Sequence, residues 1–263
     1  MVTRTKETPE LPAINVSKEV SRAGSIIKKA VSGRKRRRVL IGLSGGVDSS
    51  VLAALAGRAL EPENVYGLQL THAGENELRL KDAPIVARHL RMRFRNLDIT
   101  EPVDILADIL KVPFHGEEAA LRRSQIVDRL RTLILMDVSE QEGMVYLPAV
   151  NRTDLALGLG MIGGSFTPQP RPLAHLYKTY IFEMAEFLEL PEQVLIRQPS
   201  AELWRYPAES TDMRALFREV DKLLYLRLEK KLTPSKIRRH GFGPRLVNAV
   251  LKRLEEVASG HIQ

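Results

Sequence analysis

The chain has 263 residues, 44% of them hydrophobic and 27% charged, enough to bury one full α/β core with appendages. It holds no cysteine, which excludes disulfides, zinc–thiolate sites, iron–sulfur clusters and any Cys nucleophile or persulfide carrier within these residues. The formal net charge of +8 would suit a polyanion such as RNA, but aromatic residues are only 5%, which leaves little to stack on bases, so no nucleic-acid partner is expected.

Residues 1–15 carry Pro9 and Pro12 and read as a disordered, frayed tail. The start is polar, bears both signs of charge and lacks the apolar run of a signal peptide. No later stretch approaches the roughly 18 apolar residues that span a bilayer. No membrane is expected, and a cytoplasmic location is the default. Val16, Val20, Ile26, Ile27, Ala30 and Val31 recur at helical spacing over residues 16–32. The basic run from Arg34 to Arg38 reads as a solvated turn that feeds the first strand.

Val39-Leu40-Ile41-Gly42-Leu43 has the composition of a buried parallel strand. Ser44-Gly45-Gly46 turns the chain, and Val47-Asp48-Ser49-Ser50 opens a helix rich in Ala and Leu. Strand, glycine turn and helix N-terminus together hold a phosphate. Backbone N–H groups point out of the turn, the helix dipole favours anions, and the missing Cβ atoms let oxygens approach. Ser44, Ser49 and Ser50 add hydroxyls, and Asp48 can hold a Mg²⁺ that neutralises the phosphates. The spacing is not that of the common P-loop, and no Lys follows the second Gly. An ordinary turn with an Asp/Ser cap is the alternative; two Gly inside Ser-Gly-Gly-x-Asp-Ser favour nucleotide binding.

Residues 65–70 read as a second strand, 71–81 as a polar loop, and a helix begins at Ala83. A third strand is predicted over 92–98, a helix over 102–110 with Pro102 in its first turn, a long helix over 117–138 and a short strand over 144–147. Strands alternating with helices predict an α/β fold with a doubly wound parallel sheet, whose ligands sit beyond the carboxyl ends of the strands. Residues 151–164 continue as helix and glycine turn, 165–172 as a proline-rich loop, and 176–190 as a helix stopped by Pro191. From Leu223 two charged helices surround Pro234 and the 241–244 turn, giving a helical C-terminal region over 222–263. Residues 16–263 thus read as one domain.

The string from Ser44 to Ser50 resembles the signature of the PP-loop, or N-type ATP pyrophosphatase, superfamily, an adenine nucleotide alpha hydrolase-like fold. That resemblance implies cleavage of ATP between its α and β phosphates, with the loop gripping the departing pyrophosphate. Leu43, Ser44, Gly45, Gly46, Val47, Asp48 and Ser49 would then contact ATP. Further along stand Arg129-Leu130-Arg131, Asn151-Arg152-Thr153-Asp154-Leu155-Ala156-Leu157-Gly158, and Pro172 with Leu176-Tyr177-Lys178-Thr179. Pro199-Ser200-Ala201-Glu202-Leu203-Trp204, Thr211-Asp212 and Phe217-x-x-Val220-Asp221-x-x-Leu224 follow. Their order and spacing resemble the ammonia-dependent NAD synthetases over residues 16–250.

The resemblance implies that the carboxylate of deamido-NAD attacks the α phosphate of ATP to give an acyl-adenylate, and that ammonia then displaces AMP to give NAD. It implies Asp48 and Lys178 as catalytic residues, Mg²⁺ on Asp48 and Asp154, and Arg129 and Ser200 beside ATP. Asp154 stands where the family has a Glu, one methylene longer. Arg129 and Arg131 would lie at the active site and at the interface of a symmetric homodimer. No His has metal-ligand spacing.

The sequence also departs from the family. Pro148-Ala149 replaces Gly-Thr, and Ala258-Ser259-Gly260 replaces a basic, proline-containing tail. The substrate loop, Thr-Lys-x-Gly-Asp with a later Asp, falls on Met161-Ile162-Gly163-Gly164-Ser165 and Gln169. ATP handling is retained while acid recognition is rewritten. This keeps open a paralogue that amidates another carboxylate, a PP-loop tRNA-modifying enzyme, and a non-catalytic nucleotide sensor.

Overall fold

The fold is described from a computed structural model, for residues 8–35, 37–73, 77–113, 115–159, 169–196 and 212–259. Four parallel strands make the sheet: β1 (Val39–Gly42), β2 (Val65–Thr71), β3 (Arg93–Asp98) and β4 (Val145–Tyr146), in the spatial order β3-β2-β1-β4. Register follows from Val39 opposite both Val65 and Val145, and from Tyr66 opposite Arg93.

Alternate side chains of β1 serve opposite layers, as the two-residue period of a strand requires. Val39, Ile41 and Leu43 pack in one core with α1 (Val16–Ala30), α2 (Val47–Leu60), α3 (Glu77–His89), α7 (Lys178–Phe187), α9 (Met213–Leu224) and α11 (Pro244–Ala258). Leu40 packs in the other, with α4 (Thr100–Ile109) and α5 (Glu117–Gln141). Helices therefore cover both faces, and the expected doubly wound α/β sheet forms. Short helices α6 (Arg152–Ala156), α8 (Glu192–Ile196) and α10 (Pro234–Ile237) complete the described set.

The strand order places the ligand crevice. The chain steps outward from β1 to β2 to β3, then returns to the far side of β1 for β4. Connections leaving β1 and β4 consequently diverge, and a cleft opens between their carboxyl ends. The turn after β1 carries Ser44–Gly46, and the segment after β4 leads directly to Asn151.

Several local expectations shift. The polar loop predicted over 71–81 is shorter, because α3 starts at Glu77 and carries Pro84 within it; the run Glu77-Leu78-Arg79-Leu80-Lys81 consists of good helix formers. The C-terminal region begins earlier than Leu223, with α9 capped by Asp212, whose carboxylate accepts from the N–H groups of Arg214 and Ala215. A π-helical turn over Tyr225–Glu229 follows α9. Of the tail predicted over 1–15, residues 8–15 lie against α7 and α9: the Tyr180 hydroxyl donates to the Pro12 carbonyl at 2.6 Å, and Lys222 Nζ donates to Glu10 at 2.8 Å. No described helix is long and apolar enough to cross a membrane.

Gly67 in β2 lets Leu43 reach the sheet just before the glycine turn. A Cβ there would stand 3.0 Å from Met92 Cε and 3.1 Å from Leu43 Cδ2. Gly67→Ala is expected to lower stability by about 1–3 kcal/mol through overpacking, read as a lower urea midpoint at unchanged m-value.

Candidate active site

The turn after β1 forms because Gly45 meets two demands at once. Its φ is +75°, and an added Cβ would lie 2.6 Å from Asp82 Cβ and 2.7 Å from the Ala83 amide nitrogen, both on α3. Gly46 is the N-cap of α2 and supplies no side-chain acceptor. The first-turn N–H groups of Val47, Asp48 and Ser49 are thus left for an outside acceptor at the positive end of a 14-residue helix. Ser44 and Ser49 hydroxyls lie 3.2 Å apart. Ser49 and Ser50 donate to the Gly46 carbonyl at 3.1 and 2.8 Å. These two hydroxyls brace the turn here instead of standing ready as donors.

Two distant segments converge on Asp48. The Asn151 side-chain N–H₂ donates to Asp48 Oδ1 and to Asp154 Oδ2, each at 2.7 Å. Asn151 Oδ1 in turn accepts from the Asp154 amide at 2.9 Å, which caps α6. Lys178, the first residue of α7, donates its ammonium to Asp48 Oδ2. Its Nζ also stands 5.9 and 5.5 Å from the ring centres of Phe182 and Phe217. The sequence-predicted pair Asp48 and Asp154 therefore shares one amide, and predicted Lys178 joins them.

Behind this cluster Asp221 is fully buried. It accepts from Thr153 Oγ1 at 2.5 Å, from the Thr179 amide at 2.7 Å and from the Thr179 hydroxyl at 2.6 Å. Sequence reasoning gave no role to Asn151, Thr153, Thr179 or Asp221. The available signal was an acid among Phe217, Val220, Leu223 and Leu224, the apolar positions of α9.

Other predicted residues are placed differently. Arg131 donates from Nε and Nη2 to the Leu70 carbonyl at 3.1 and 2.9 Å, and so closes the carboxyl end of β2. Arg129 is exposed on α5 and does not join the Asp48 cluster. Ser200, Trp204 and the 161–168 part of the predicted substrate loop lie outside the described residues.

The cluster carries more negative charge than its one lysine balances. Burial, and then the Asp48 carboxylate, push Asp154 up to about 7, with Lys178 opposing. Burial likewise raises Asp221 to about 6 against its three hydrogen bonds. Burial disfavours the Lys178 ammonium, yet Asp48 and Asp154 outweigh it and leave its pKa raised. Lys178 is therefore a fixed cation at neutral pH and not a base. Hard oxygen donors under uncompensated negative charge fit a divalent cation such as Mg²⁺. Among the described residues no three acidic or histidine side chains cluster for a metal, and Mg²⁺ characteristically takes one or two carboxylates together with substrate phosphates.

A carboxyl group whose pKa is higher in the folded than in the unfolded chain favours folding most below the unfolded value near 4, and that contribution fades as pH rises to about 7. Asp154→Asn, neutral throughout, is therefore expected to gain stability over the parent as pH goes from 4 to 8 without divalent cations. The expected gain is on the order of 4 kcal/mol, read from melting curves at each pH.

The "NAD synthase" family model matches residues 19–259. The NH(3)-dependent NAD(+) synthetase of Chlorobaculum parvum is 33% identical over 214 residues, covering 81% of this chain and 76% of that protein. That of Pelodictyon phaeoclathratiforme is 37% identical over 194 residues, covering 74% and 68%. Among solved structures, the NH3-dependent NAD synthetase from Campylobacter jejuni superposes with a TM-score of 0.73 at 24% identity, covering 95% of this chain and 98% of that one. An NMN synthetase from Francisella tularensis superposes with the same score at 18% identity and the same coverage, so the fold is shared. The loop, the paired carboxylates and the extent of these matches agree: this chain belongs to the NAD synthase family.

Proposed function

We infer that the protein is an ammonia-dependent, ATP-consuming ligase that forms the amide of NAD from deamido-NAD and releases AMP and pyrophosphate. The observation that carries this reading is the meeting of Asp48, Asp154 and Lys178 at the mouth of an uncapped glycine turn. Leu43 to Ser49 hold the β and γ phosphates, the part of ATP that leaves. Asp48 and Asp154 would hold Mg²⁺, which neutralises the polyphosphate and the charge that grows on pyrophosphate.

The protein's own share is orientation and charge. The carboxylate oxygen of deamido-NAD forms a bond to the α phosphorus as the bond to pyrophosphate breaks. Lys178 Nζ, held as an ammonium, offsets negative charge on the α-phosphate oxygens in that step. Ammonia then forms the C–N bond at the acyl carbon and loses a proton to solvent water, and AMP departs with the C–O bond pair. Lys178 cannot take that proton, because it is already charged. With no cysteine in the chain, these residues supply no thiol to release ammonia from glutamine.

A second reading is favoured by one observation: the residues at 161–169 lack the cation and carboxylates of the family's substrate loop. The same ATP chemistry would then serve a different acid. Supplied with ATP, Mg²⁺ and ammonium, the protein is expected to convert deamido-NAD to NAD with one AMP per amide. Lys178→Met is expected to lower kcat/KM about 100-fold or more. Absence of both AMP and NAD removes the leading reading, and AMP release with the mononucleotide counterpart alone selects the second.

The reading also takes the protein to be a cytoplasmic homodimer built from one catalytic unit. Leu133, 63% exposed, lies one helical turn beyond exposed Arg129 on α5, and this face is proposed as the subunit contact, which would carry Arg129 towards the partner's nucleotide. Light scattering is expected to report a dimer, and Leu133→Glu a monomer.

A further inference from the structure

The amide nitrogens of Lys178 and Thr179 open α7, and that helix has no side-chain cap of its own at Tyr177. Both nitrogens are satisfied from elsewhere. Thr179 N–H donates directly to Asp221 Oδ2 at 2.7 Å, and Lys178 N–H donates to Thr153 Oγ1 at 2.9 Å. The Thr153 hydroxyl in turn donates to Asp221 Oδ1 at 2.5 Å, while the Thr179 hydroxyl donates to Oδ2 at 2.6 Å. One carboxylate on α9 thus ties the start of α7, which bears the cation, to the residue just before Asp154 on α6. The same helix presses Phe217 against the Lys178 ammonium at 5.5 Å. Lys178 is thus held from α9 at its backbone by way of Thr153, and faced by α9 at its tip.

Packing alone does not account for an acid here. Phe217, Val220, Leu223 and Leu224 already bury the apolar side of α9, and a buried carboxylate is costly unless its bonds are well formed. What the acid adds is directional: three donors from two helices meet at two oxygens and fix the angle between them. Resting on the ligase reading above, we propose that Asp221 is a positioning residue which, through the hydroxyls of Thr153 and Thr179, sets Lys178 and Asp154 at their working separation. It touches no substrate. Without the Thr179 hydroxyl, Oδ2 keeps only an amide donor, the first turn of α7 is less constrained, and the ammonium moves relative to Asp48.

The test uses the full chain and three variants. Thr179→Val removes the hydroxyl at nearly constant volume, Thr179→Ser restores it, and Asp221→Asn keeps size while removing charge. Thr179→Val is expected to lower kcat about 10- to 100-fold, with KM for ATP within about threefold and kcat expressed per folded molecule. Thr179→Ser is expected to recover kcat to within about threefold of the parent, and Asp221→Asn to fall with Thr179→Val. A lower melting temperature with kcat unchanged in both Thr179→Val and Asp221→Asn is the signature of a merely structural role, and overturns the proposal. If Thr179→Val does not fold, Asp221→Asn against Thr179→Ser decides the same question.

Failure of the parent protein to make NAD would count against the ligase reading and not against this one. Crystal structures of the parent and of Asp221→Asn then decide it. Displacement of Lys178 Nζ from Asp48 by more than about 0.5 Å supports the proposal, and an unchanged contact overturns it.

Discussion

Everything at the site depends on one side chain, the carboxamide of Asn151. Two carboxylates brought together in a half-buried cleft repel each other, and a shared donor offsets that repulsion. The Asn151 N–H₂ supplies two protons, one to Asp48 and one to Asp154, while its carbonyl oxygen caps α6 and fixes which way the amide faces. Lys178 adds the one positive charge. Burial first, and then the neighbouring Asp48 charge, raise the pKa of Asp154. Two carboxylates facing one ammonium leave negative charge that a further cation would offset.

The sheet makes this encounter possible. Asp48 follows β1 and Asn151 follows β4, strands far apart in sequence and adjacent in space because the winding reverses at β1. Lys178 arrives at the same point from α7, which packs on α2 and buries Ile181, Met184 and Ala185 in the shared core. The C-terminal helix contributes too: Arg253 Nε on α11 donates to the Leu157 carbonyl at 2.8 Å, holding the turn that ends α6. A mostly apolar scaffold thus delivers a few charged groups to one place, and their separation is set by hydrogen bonds rather than by burial.

What could be read from sequence divides along a physical line. The Ser44–Ser50 turn was legible because all of its determinants are local: a buried strand, glycines and a helix start within a dozen residues. Strands β1, β2 and β4 were legible from their apolar runs, and the largely polar β3 from its place between two helical stretches. Asp154 and Lys178 needed the family resemblance, since an Asp on a short helix and a Lys at a helix start are ordinary by themselves. Asp221, Thr153 and Thr179 escaped because their meaning is tertiary; each completes a bond whose other end lies on a different element. The start of α3 was missed for the opposite reason: residues 71–81 are polar and read as a loop, yet Glu77 to Lys81 are good helix formers and open the helix. Likewise Ser49 and Ser50 looked like free hydroxyls, and local backbone acceptors had claimed them.

The central claim is that the glycine turn and the Asp48–Asn151–Asp154 set act together on one nucleotide. A crystal structure with ATP and Mg²⁺ tests it most directly. Phosphate oxygens are predicted on the N–H groups of Val47, Asp48 and Ser49, with a cation bound by Asp48 and Asp154 and the Lys178 ammonium turned towards the α phosphate. A triphosphate seated away from that turn, or a cation held by other side chains, would contradict it.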